Sequence, residues 1–121
     1  MACDTMNGNC VLIPRHVASL VGNLEPAFRH SIGDTDYGLR ARAQGCSVWL
    51  TPGFVGTCRR NPATEGCWHK SLPLRERWRK VCSPKGLPPK EFLVFARRHG
   101  GLLWPAFWVL PYLRLIFRPS A

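Results

Sequence analysis

The sequence predicts an α/β domain with a basic helical extension, on three observations. Short apolar runs, Cys10–Ile13 and Val48–Leu50, flank segments with helical spacing, and the order strand, helix, loop, helix, strand, strand suits a layered architecture. Eleven Gly and eleven Pro cut the chain into short elements. The charge is unevenly placed: 17 basic residues stand against 7 acidic ones, yet residues 1–58 are balanced and the whole excess of +10 falls in 59–121. At 121 residues the chain suits one domain of ordinary size, read here as an α/β part over 1–60 and an extension over 61–121.

Taken in order, Asn7-Gly8-Asn9 is turn chemistry and launches Cys10–Ile13 as a short buried strand closed by Pro14. Val17, Leu20 and Val21 lie at helical spacing over 15–21, and Gly22 is a natural stop. Asn23–Ile32, with Pro26, Phe28 and His30, reads as a loop. Asp34 suits an N-cap and Asp36 the first turn of the next helix. Tyr37, Leu39, Ala41 and Ala43 supply its inner face, Arg40 and Arg42 turn outward, and Gly45 ends it. Cys46–Thr51 is a second strand, Pro52-Gly53 a turn, and Phe54–Cys58 a third extended piece.

From Arg59 the composition changes. Leu74–Val81 is a basic helix around Trp78, Ser83–Pro89 a break, and Lys90–His99 a helix opened by Pro88 and Pro89 and closed by Gly100-Gly101. Leu102–Phe117 is nearly all apolar, but only twelve uncharged residues precede Arg114, and a bilayer span needs about twenty. Its Trp, Tyr and Arg suit an interfacial helix on anionic lipid; a helix packed on its own domain or on a partner suits the pattern as well. Arg and Trp interleave without any nucleic-acid motif, so no nucleic-acid partner is expected.

The six cysteines include no CxxC pair, and Met1–Asp4 has neither the basic nor the apolar region of a secretory signal, so reduced thiols in a cytosolic setting are expected. The spacing of Cys58, Cys67, His69 and Cys82 matches no common zinc pattern, and no metal site is assigned.

Asn7–Arg15, Val21-Gly22-Asn23-Leu24, Phe28–Arg42 and Gly45, with Leu72–Arg75, Ser83–Pro89 and Arg97–Gly101 further on, together resemble a bacterial family 2 glycosyltransferase of GT-A (Rossmann-like) fold. The likeness is to the C-terminal half of that family's catalytic domain. It implies a partial, half-domain GT-A fold with a short mixed sheet, followed by amphipathic C-terminal helices. The family's nucleotide-binding half, with its βαβ unit and metal-binding Asp-x-Asp, has no counterpart here, and Asp34-Thr35-Asp36 matches the downstream, acceptor-side motif.

By that resemblance, sugar passes from a nucleotide-sugar donor to a saccharide or lipid-linked acceptor hydroxyl, with Asp34 as general base. Asp36 orients Asp34, the acceptor or the helix terminus, while capping and first-turn charge explain both residues without catalysis. Asn7, Asn9 and His30 are acceptor-side candidates, and turn formation explains the asparagines as well. Arg59 and Arg60 are weak diphosphate candidates beside a solvated charge pair, and Arg40 is an ion-pair partner. Gly33 stands where many relatives carry Glu, and Thr57–Arg60 lacks the family's metal-ligating His. Mn²⁺ or Mg²⁺ therefore belongs to the full-length enzyme and none is expected in this chain. The implied enzyme works in the cytoplasm, peripheral to the inner face of the plasma membrane, and this chain alone is expected to be incompetent. The rival reading is a non-enzymatic membrane-surface module built on the basic aromatic helices.

Overall fold

The computed structural model describes residues 1–30, 32–57 and 72–117. The chain divides into two compact units, Met1–Arg59 and Arg60–Ala121. Both mix helix with irregular chain, and the first also carries a small sheet.

In the first unit, β1 (Ala2–Cys3) pairs antiparallel with β2 (Val48–Trp49). Between them lie α1 (Arg15–Val21) and α2 (Gly33–Ala43). Pro14 precedes α1, where its fixed φ suits a helix start, and Gly22 at φ 80° turns the chain away after it. Helix α2 ends in a Schellman motif: the N–H of Gly45 donates to the Arg42 carbonyl and that of Cys46 to the Ala41 carbonyl, with Gly45 at φ 83°. Val21, Tyr37 and Ala41 form the buried core of this unit, with Met6, Val17 and Cys46 packed against it.

Several expectations for this half are corrected. Cys10–Ile13 is irregular and Leu12 is 93% exposed; among the described residues no strand pairs with it to share its hydrogen bonds. The strand over Cys46–Thr51 shrinks to Val48–Trp49, and its partner is the N-terminal pair Ala2–Cys3, which carries no strand pattern of its own. Phe54–Thr57 is irregular and exposed, and Cys58 lies outside the described residues. In place of a short mixed sheet and a Rossmann-like layer, the described residues show one two-stranded antiparallel ladder. On α2, Tyr37 and Ala41 face inward as expected, but Ala43 is exposed, and Arg40 turns in rather than out.

The second unit contains α3 (Leu74–Val81), α4 (Pro89–His99), a 3₁₀ turn (Gly101–Leu103) and α5 (Trp104–Phe117). Its core is Val81, Phe92, Phe95, Ala96, Tyr112 and Leu115. Two glycines set the approach of these helices: a Cβ on Gly86 would lie 2.2 Å from the Lys80 carbonyl oxygen, and one on Gly100 would lie 2.8 Å from Trp104 Cα. Polar groups are placed with care inside this apolar packing. Trp108 Nε1–H donates to the Pro89 carbonyl at 3.0 Å and Tyr112 O–H to the Leu87 carbonyl at 3.0 Å. Buried Arg77 donates to the Leu115 carbonyl at 2.7 Å, so a cation sits at the C-terminal end of α5, where the helix dipole favours it.

Candidate functional site

Asp34 lies in the first turn of α2, as its second residue and two positions past the cap. The capping position belongs to Ile32, at φ 59°. A β-branched residue in that left-handed region is strained, and its short apolar side chain can accept no hydrogen bond from the helix start. The carboxylate of Asp34 meets the orphan end of the helix by another route. Its Oδ1 accepts from the Thr35 N–H at 2.9 Å and its Oδ2 from the Gly8 N–H at 2.6 Å. The side chain is half-buried, so it meets both backbone and solvent.

The Gly8 contact is the last of a series that lays the N-terminal segment along α2. Asp4 pairs with Arg42, Thr5 Oγ1 donates to the Thr35 carbonyl at 2.8 Å, and a Cβ on Gly38 would fall 2.5 Å from Thr5 Oγ1 and 2.9 Å from Met6 N. The glycine in mid-helix is what lets the segment come so close. As a result the Asn7-Gly8-Asn9 turn sits against Asp34. Asn7 Oδ1 accepts from the Asn9 N–H at 3.3 Å, an internal use of the side chain that shapes the turn. Thus Asn7, Asn9 and Asp34 share one exposed corner, with both asparagines open to solvent.

Asp36 is a different matter. It is 0% exposed, and its Oδ2 accepts from Arg40 Nε at 2.8 Å. Arg40 also donates from Nη1 to the Val21 carbonyl and from Nη2 to the Asn23 carbonyl, both at 2.9 Å, and its guanidinium lies 5.1 Å from the Tyr37 ring centroid. The pair therefore clamps the end of α1 and the loop after it onto α2. The burial of Asp36 and its pairing with Arg40 suit a structural role for this carboxylate. The ion-pair role expected for Arg40 is what the geometry shows. His30 is exposed on the loop before α2. Arg59 and Arg60, and with them Cys58, Cys67 and His69, lie outside the described residues.

Both oxygens of Asp34 are engaged by backbone N–H groups, Asp36 is sealed against Arg40, and among the described residues no group of three His, Cys, Asp or Glu gathers. Three contributors were missed by sequence reasoning: Gly8, Thr5 and Gly38. Of these, Gly38 carried a signal, since a glycine inside an otherwise helical run points to a close approach by other chain. Comparison with known proteins gives no match, whether to protein-family models, to curated proteins or to solved structures.

Proposed function

We propose that this chain supplies the acceptor side of a family 2-like glycosyl transfer site, with Asp34 as proton acceptor. The observation that carries the reading is the Asp34 carboxylate itself. It is fixed by two backbone N–H groups at a helix start, half-open to solvent, and bordered by the Asn7–Asn9 turn. Each of its oxygens uses one acceptor direction on the backbone and keeps another for a hydroxyl. The acceptor O–H would lose its proton to Asp34 as the oxygen bonds to the anomeric carbon and the nucleoside diphosphate departs with the old bonding pair. The pattern Gly33–Arg42, followed by Gly45, supports the same reading by resemblance.

In this reading the donor pocket is made by residues that this chain does not contribute, and Arg59 and Arg60 are at most accessory to the diphosphate. Two measurements test the proposal. Titration calorimetry with UDP-, GDP- and dTDP-sugars, with and without Mn²⁺, should give no micromolar binding; a micromolar constant would overturn the half-site part. Amide NMR of the full chain with added oligosaccharide acceptors should shift Gly8, Asn9 and Thr35 first, and Asp34→Asn should weaken the response. Shifts confined to the second unit, or none at high acceptor concentration, would remove the site from consideration.

A further inference from the structure

We propose that α5 is an interfacial helix that seats the second unit on an anionic lipid bilayer, a role that does not depend on the sugar-transfer reading. Apart from Arg114 in its last turn, the helix is apolar on every side, so nearly all of its surface needs cover. Its inner line, Trp108, Tyr112 and Leu115, is covered by its own unit: Tyr112 packs edge-on to Trp78 of α3 and Phe92 of α4, while Trp108 bonds to Pro89. Among the described residues the opposite line has no such cover. Leu110, Leu113 and Phe117 fall on one face of α5 at helical spacing and are 46, 40 and 76% exposed, and Leu103, in the 3₁₀ turn before it, is 75% exposed. Beside them Leu102 is 99% exposed. An outward row of aliphatic and aromatic side chains of this length marks an interaction surface.

Charge selects the occupant. Arg97 lies with its guanidinium 5.7 Å from the Trp104 ring centroid, at the start of the row, and exposed Arg114 lies near its end. No acidic residue occurs between Gly101 and Phe117, and residues 59–121 hold the entire +10 excess. Two copies of so basic a unit would repel across this face, whereas anionic headgroups are attracted to both cations while the acyl region takes the leucines. Length and chemistry set the depth. Fourteen residues of helix reach about 21 Å, short of the roughly 30 Å of hydrocarbon, and no described helix is long and apolar enough to cross a membrane. Pro111 inside α5 removes one donor from the helical ladder. That loss is better tolerated at the hydrated interface than in dry hydrocarbon.

The test is co-sedimentation of the full chain with phosphatidylcholine vesicles, with and without phosphatidylglycerol. The chain should pellet with the anionic vesicles and be released by salt. Leu110→Asp with Leu113→Asp should weaken binding by about tenfold or more, with helicity by circular dichroism retained, and Arg97→Gln or Arg114→Gln should weaken it by about fivefold each. Should the double variant fail to fold, bromolipid quenching of tryptophan emission in the unaltered chain decides the matter, since α5 carries Trp104 and Trp108. Absence of both pelleting and quenching overturns the proposal. So does a dimer in sedimentation equilibrium that Leu110→Asp dissolves while vesicles are ignored, because the occupant is then a second copy.

Discussion

The backbone N–H of Gly8 donates to Oδ2 of Asp34 at 2.6 Å, across 26 positions of the chain. That bond makes one carboxylate serve two purposes: it neutralises a dipole end and anchors the N-terminal turn. Asp34→Asn removes the charge and leaves one acceptor oxygen for two N–H donors, and a charge-assisted bond is roughly twice as strong as a neutral one. The variant should lose about 0.5–1.5 kcal/mol in urea unfolding, and the Gly8 amide should exchange faster with solvent. Unchanged exchange at Gly8 would mean that the bond does not hold the turn.

Gly38 tests the packing of the same segment from the other side. A methyl group there would press on Thr5 Oγ1 and on the Met6 backbone nitrogen, neither of which lies at the end of a long flexible side chain. Gly38→Ala should therefore destabilise by about 1–3 kcal/mol, although alanine is the better helix former by about 1 kcal/mol. Gly56→Ala is the control, because a Cβ at Gly56 meets nothing within 4 Å. A Gly38→Ala chain as stable as the control variant would show that the N-terminal segment does not bear on α2.

These contacts also explain what the sequence discloses and what it hides. Helices α1, α3 and α4 are legible because proline and glycine punctuate them: Pro14 and Gly22, Pro73, and Pro88-Pro89 with Gly100. The sheet is not, because two-residue strands have no periodicity, and Ala2–Cys3 becomes a strand only by finding Val48–Trp49. The apolar run Cys10–Ile13 has the composition of a strand but, among the described residues, no neighbour to pair with. At the site, the prominence of Asp34 could be read from its motif and the Asp36–Arg40 pair from its i, i+4 spacing. The burial of Asp36 could not, since it follows from Arg40 reaching the Val21 and Asn23 carbonyls, a long-range fact.

Arg40 is the point at which α1, its following loop and α2 depend on one side chain. Its guanidinium satisfies a carboxylate with no solvent exposure and two backbone carbonyls at once. Arg40→Met keeps much of the volume and leaves Asp36 buried without this cation. Unfolding should become easier by about 2–3 kcal/mol. Asp36→Asn in the same background should restore part of the loss, because the neutral amide is less costly to bury. A double-mutant cycle with no coupling between the two positions would contradict the clamp.

Alkaline pH probes the second unit through Tyr112. Burial, and then the neighbouring Cys82, pushes the phenol above its ordinary value of 10.0. The O–H is also held by the Leu87 carbonyl at 3.0 Å, a bond that only the protonated form can make. Well below 10.0 the tyrosine is neutral in folded and unfolded chains alike, and its contribution is complete. Above it the unfolded chain releases the proton that the folded chain keeps, so stability falls as pH rises. Tyr112→Phe should cost about 1 kcal/mol near neutral pH through the lost hydrogen bond. The same variant should flatten the decline between about pH 9 and about pH 11 in urea unfolding followed by circular dichroism. An equally steep decline in Tyr112→Phe would place the alkaline sensitivity on another group.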